Sequence, residues 1–140
     1  MRTIALAMAL LAVTSLARAD DVDPEPPASG LRQLQGKWES VRRLSLGKED
    51  AFTTTSYLFE KDKVTARYGT KTKQTTQIRT YEIDSKRRAI LMTYNGVTRR
   101  HFYKFQKGEL YLTIDRSKDD DVKPDFSGQT TTVLILKKVK

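Results

Sequence analysis

The sequence predicts an all-β fold, an eight-stranded antiparallel up-and-down barrel. Three observations carry the prediction. From Trp38 onward the apolar residues recur at every second position and almost never with the period of about 3.6 that marks a helix. Turn residues interrupt this alternation at short intervals, so that consecutive strands run antiparallel. The chain has 140 residues and no cysteine, so it must hold together by burial and backbone pairing, and closing the sheet hides the strand edges that would otherwise stay unpaired.

The elements follow in order from the N-terminus. Met1-Arg2-Thr3, the apolar run 4–13 and the small-residue site Ala17-Arg18-Ala19 have the charged, hydrophobic and cleavage regions of a secretory signal peptide, here 1–19, and the apolar run is too short to span a bilayer. Cleavage near Ala19 predicts an exported protein, periplasmic or extracellular, with no transmembrane segment. Residues 20–30 carry Asp20, Asp21, Asp23 and Glu25 among Pro24, Pro26, Pro27 and Gly30, with no basic residue, and read as an acidic Pro-rich linker. The folded unit is therefore 31–140, preceded by one helical turn near 29–34 that Ser29 caps and in which Leu31 and Leu34 lie a turn apart.

Eight strands are predicted at about 37–46, 55–60, 63–68, 76–84, 88–94, 97–105, 109–115 and 130–139. Among the connections Lys61-Asp62, Asp84-Ser85-Lys86, Asn95-Gly96 and Lys107-Gly108, the Asn-Gly pair is the strongest hairpin signal, because both residues tolerate the positive φ of a type I′ turn. Parity along the strands places Trp38, Tyr57, Phe59, Val64, Ala66, Tyr81, Ile83, Ile90, Met92, Tyr103, Phe105, Leu110, Leu112 and Ile114 on one face, the inside.

The stretch Leu34-Gln35-Gly36-Lys37-Trp38-Glu39 resembles the Gly-x-Trp opening of lipocalin-like barrels. It resembles more closely the Leu-Gln-Gly-x-Trp start of a family of short, exported, uncharacterised domains of planctomycete bacteria. The likeness continues through Phe59-Glu60-Lys61-Asp62-Lys63-Val64-Thr65, Phe102-Tyr103-Lys104-Phe105, Leu110-Tyr111-Leu112, Lys123-Pro124-Asp125-Phe126 and Val133-Leu134-Ile135-Leu136-Lys137-Lys138. The family usually has Arg where Lys123 and Lys138 stand. The resemblance implies a lipocalin-like barrel and export, and brings no activity with it. It further implies a structural base in which Trp38, behind Gly36, packs under a basic side chain of the last strand, Lys137 or Lys138.

With Trp38 at the closed end, the connections at 61–62, 85–87 and 106–108 fall at the base and those at 47–54, 69–75, 95–96 and 116–129 at the mouth, where small barrels take ligands. The inward parity, followed toward the mouth, gives Arg42, Tyr68, Arg79, Tyr94, Arg99 and His101 as candidate ligand-binding residues, and puts Arg43, Arg100 and Lys104 outside. Two readings stay open. Arg forks with a Tyr hydroxyl form a clamp for a carboxylate or phosphate, so that an anionic, lipid-like amphiphile enters tail-first. Otherwise the long side chains reach the rim, the barrel is filled, and the protein is an interaction or structural module of the envelope that meets an acidic polysaccharide, lipid head groups or an acidic protein through its basic surface. A cavity running from the mouth down to Ile90 and Met92 is the feature that separates them.

Other chemistry is poorly represented. His101 is the only histidine, and no nucleophile elbow, His-Glu-x-x-His pair or Gly-rich phosphate loop occurs, so neither an enzyme nor a cofactor is expected. The acidic run 115–121 lacks the spacing of a calcium loop, and no metal is expected. A net charge of +9 and the run Arg99-Arg100-His101-Phe102-Tyr103-Lys104 have the composition of a nucleic-acid surface, but this pattern also describes a half-buried strand with a basic outer face, and an exported protein seldom meets nucleic acid. A monomer that binds no nucleic acid is the expectation.

Overall fold

The structure, a computed structural model, describes residues 30–50, 55–114 and 122–140. The predicted signal peptide, the linker up to Gly30, the cap Ser29 and the acidic run 115–121 lie outside the described residues. A single helical turn α1 (Gly30–Leu34) leads into nine strands: β1 (Gly36–Ser45), β2 (Lys48–Asp50), β3 (Ser56–Glu60), β4 (Lys63–Gly69), β5 (Gln74–Asp84), β6 (Ala89–Tyr94), β7 (Val97–Gln106), β8 (Glu109–Ile114) and β9 (Thr132–Lys138). Each strand from β3 to β9 pairs antiparallel with the next, and β1 pairs with both β3 and β9. This last pairing closes an antiparallel barrel of eight strands, as the alternation predicts. The ninth, β2, is a three-residue strand hairpinned onto the far end of β1.

The turns follow their chemistry. Asn95 (φ 51°) and Gly96 (φ 75°) both adopt positive φ, as do Leu46 with Gly47 and Lys107 with Gly108, the paired signature of type I′ hairpins whose twist matches the flanking strands. Every residue that parity placed inside lies in one apolar core or, for Ile83 and Ile114, packs against it, joined by Leu34, Leu134 and Leu136.

The base shows why Leu-Gln-Gly-x-Trp reads as it does. Leu34 is fully buried beneath the barrel, and the indole Nε1 of Trp38 donates to the Leu34 carbonyl (2.8 Å). Gln35 clips the β3–β4 turn: its Oε1 accepts from the Lys61 N–H (2.8 Å), and its Nε2 donates to the Tyr81 hydroxyl (2.8 Å), which itself donates to the Lys61 carbonyl (2.6 Å). Gly36 lies at φ 110°, and a Cβ there would stand 3.0 Å from Cε of Lys138. The missing side chain thus lets Lys138 lie across the Trp38 ring, with Nζ 5.6 Å from its centroid. Of the two basic residues expected there, Lys138 takes the role. Lys137 does not: it pairs in register with Glu39 and Glu109 on the opposite parity and is exposed.

Two features depart from simple alternation. In the β1–β9 ladder Ser40 pairs with Leu136 and Arg42 with Ile135, so Val41 is an inserted residue, a β-bulge that bends β1 and shifts its parity by one. The other is a second buried layer outside the barrel: Ala89, Phe102, Thr113, Val133 and Ile135 lie on the outward parity of β6–β9 yet are buried. Residues 122–131, expected among the mouth loops, run here as a strap over that outer face, where Lys104 Nζ sits between the rings of Tyr111 (4.8 Å) and Phe126 (5.0 Å).

Candidate functional site

The mouth opens into a cup of about 660 Å³. Tyr68, Arg79, Tyr94, Arg99 and His101, five of the six residues that parity sent there, line it together. Arg42 does not. Because the bulge at Val41 reverses parity, Arg42 faces outward and bonds Glu49 (3.2 Å) and Glu109 (3.1 Å), while Arg43, expected outside, lines the cup opposite Leu134. Sequence reasoning missed Arg43, and it took Tyr57 for core alone and gave Gln77 no role. Nothing in the consecutive Arg42-Arg43 betrays the exchange, because alternation accepts one Arg inward and one outward and only the bulge at Val41 reverses them.

The cup has an apolar floor and a cationic wall. Tyr57, Met92 and Leu134 form the floor, and below it Ile90 is fully buried among the rings of Phe59, Tyr81, Tyr103 and Phe105. Phe59 meets Tyr81 edge-on at 5.2 Å and Tyr103 meets Phe105 at 5.9 Å, so the lower barrel is filled by aromatic packing. The opening therefore reaches Met92 but stops short of Ile90.

Three of the polar groups are held by neighbours. Arg79 donates from Nε (3.1 Å) and Nη2 (2.8 Å) to Gln77 Oε1 and from Nη1 toward Met92 Sδ (3.7 Å), which leaves one N–H free on each terminal nitrogen for a ligand approaching end-on. Arg43 pairs with Asp50 (3.0 Å), its partner in the β1–β2 register. His101 is buried, and its Nδ1 donates to the Thr113 carbonyl (2.9 Å), which fixes the ring as part of the wall. Burial pushes the Tyr57 phenol above its ordinary value, with Arg79 pulling the other way and Tyr68 adding to the rise, so at neutral pH it is an uncharged hydroxyl. Among the described residues lining the cup there is no carboxylate. Three guanidinium groups, one of them paired with Asp50, and an imidazole thus converge on a space with no carboxylate among its described lining residues.

The wall depends on one side-chain substitution for a ladder bond. Above the Tyr103↔Leu112 pair, β7 and β8 are joined through Thr113, whose Oγ1 accepts from the Phe102 N–H (2.9 Å) while its carbonyl holds His101. Thr113→Val keeps the shape and strands a buried donor, so it is expected to cost about 1–3 kcal/mol, measured as a shift of the denaturant midpoint at unchanged slope. A loss below a few tenths of a kcal/mol would show that the hydroxyl is not what joins the strands.

No protein-family profile matches the chain, and no curated protein is significantly similar to it in sequence. Among solved structures, a lipocalin-like protein from Bacteroides uniformis shares the fold, with a TM-score of 0.54 over 76% of this chain and 99% of that one, at 14% identity. A likeness at that identity shows the barrel and nothing of its ligand.

Proposed function

We propose that the protein is an exported, non-enzymatic binding barrel that takes a compact anionic amphiphile in its mouth. The observation that carries this reading is the cup itself: cationic on its walls, without a carboxylate among its described lining residues, apolar at its floor, and of a size that suits one small molecule. The filled lower barrel refines the ligand. A long acyl chain entering tail-first would have to pass Ile90, which is sealed, so a short chain or a single ring above Tyr57 and Met92 fits where a long one does not. The free edge of Arg79, Arg99 and the neutral Tyr57 hydroxyl are the groups to meet the anionic head. The resemblance of Leu34–Trp38 to exported planctomycete domains and the N-terminal segment support the export part of the proposal.

The test is titration with anilinonaphthalene sulfonate and with a series of alkanoates of increasing length. Saturable binding that favours the short members is expected. Arg79→Gln is expected to weaken it about tenfold to a hundredfold, the equivalent of roughly 1.5–3 kcal/mol for charge-assisted hydrogen bonds, while Arg42→Gln on the outer face leaves it unchanged. Equal losses for the two variants, or no saturable binding at all, would leave only a surface-interaction role.

A further inference from the structure

We infer that the mouth end of the barrel docks onto an anionic lipid bilayer, with three hairpin tips as its feet. The tips are the β1–β2 turn at Leu46-Gly47, the β4–β5 turn at 70–73 and the β6–β7 turn at Asn95-Gly96, and all three stand at the end where the cup opens. Two carry exposed apolar side chains: Leu46 is 84% exposed, and at the rim of the cup Val97 is 57% and Tyr94 38% exposed. These are three of the five large apolar residues exposed among the described residues, and they gather at one end of the barrel.

Charge accompanies them. The three tips bear Lys48, Lys71, Lys73 and Arg99, all exposed, and none forms an ion pair among the described residues. The carboxylates next to these tips among the described residues are Glu49 and Asp50, already bound to Arg42 and Arg43. The run 115–121 lies outside the described residues. Exposed cations and apolar tips at one end match a surface with phosphate groups above and hydrocarbon below.

The layout favours a bilayer over a protein partner. Around an open cup the tips set exposed cations beside single apolar side chains, the combination that a surface of phosphate groups over hydrocarbon receives. The tips are also held in place. The Gly47 N–H donates to the Gly128 carbonyl (3.1 Å), which ties the Leu46 turn to the strap, and Leu46 sits at φ 54°, where Asn or Gly would meet less strain. The inference does not depend on what fills the cup.

The chain has no cysteine, so one introduced thiol takes one label. Full-length protein carrying an environment-sensitive dye on Val97→Cys is mixed with phosphatidylglycerol-containing vesicles, with pure phosphatidylcholine vesicles, and with heparin. The dye is expected to shift to the blue only on the anionic vesicles, and the same dye on Lys107→Cys, at the base turn, is expected to stay unshifted. In co-sedimentation, Lys71→Gln with Lys73→Gln should lower the partition coefficient about thirtyfold, since each Lys near an anionic surface adds roughly a factor of five. Lys107→Gln with Lys140→Gln at the base should change it by less than about twofold. Equal shifts at both labelled sites would reveal attraction without orientation. A response to heparin with silent vesicles would assign the cations to a polysaccharide, and either result overturns the inference.

Discussion

Trp38→Ala is expected to lower the stability of the domain by about 3–5 kcal/mol, the range seen when a large aromatic is cut from a packed core. The ring is 3% exposed and stands 6.1 Å from Phe105 at the floor of the barrel, so its loss leaves a void that neighbours on a closed sheet cannot fill. Three further connections go with it. The Leu34 carbonyl loses its indole donor, Lys138 loses the face it lies across, and Leu34 loses the surface that seats α1 under the base. Trp38→Phe separates these contributions: most of the packing remains, the indole bond is gone, and about 1–2 kcal/mol is expected instead. The measurement is chemical unfolding of both variants beside the parent chain. Because whole domains are stable by only about 5–15 kcal/mol, the alanine variant should lose a large share of the total. A midpoint within the error of the parent would mean that the base is not closed by this residue.

The parts of this architecture that show in the sequence are those that repeat with period two. Alternation from Tyr57 to Ile114 places the core residue by residue, and carrying it toward the mouth brings Tyr68, Arg79, Tyr94, Arg99 and His101 to one cup, because an uninterrupted antiparallel ladder preserves parity along its whole length. Parity fails where a residue is added without a pleat. Val41 is such a residue, and everything mouthward of it on β1 changes face, which exchanges Arg42 with Arg43. The short β2 has no apolar residue in Lys48-Glu49-Asp50 and so leaves no periodic trace. The depth of the cup is invisible for another reason. Ile90 and Met92 share a parity, and only the cross-barrel meeting of Phe59, Tyr81, Tyr103 and Phe105, residues distant in sequence, seals one and leaves the other open.

The strap is the least legible element, since residues 122–131 have a turn-rich composition with one aromatic, Phe126, and nothing periodic. Its order comes from local hydrogen bonds. The Asp125 carboxylate accepts from the N–H and hydroxyl groups of both Ser127 and Thr130, which holds its carboxyl well below the usual carboxylate range. A depressed carboxyl stabilises the folded state above its unfolded value near 4 and loses that contribution as the pH falls below it. The group lies at the surface, so the effect is small.

Gly128 is where the strap meets the barrel, and Gly128→Ala is expected to cost about 2–5 kcal/mol. Two penalties combine. Gly128 lies at φ 78°, which costs a residue with a side chain roughly 1–2 kcal/mol, and overpacking adds about 1–3 kcal/mol. The crowding is against rigid atoms: a Cβ there would stand 2.5 Å from Cβ of Leu44, 3.0 Å from its carbonyl carbon and 3.1 Å from its oxygen. Leu44 cannot retreat, because it is paired with Glu49 on one side and Val133 on the other. The strap must therefore lift, which breaks the Gly47–Gly128 bond and opens the outer layer around Phe102 and Val133. Gly108→Ala supplies the comparison, since Gly108 has a similar φ of 73° but nothing within 4 Å of its would-be Cβ, so it carries the backbone penalty alone. Unfolding of the two variants side by side, with limited proteolysis after Lys123, reads both effects: a larger loss of stability and faster cleavage for Gly128→Ala. Equal losses with unchanged cleavage would show that the strap rests on the barrel without bracing it, and that the outer layer is kept dry by the strands themselves.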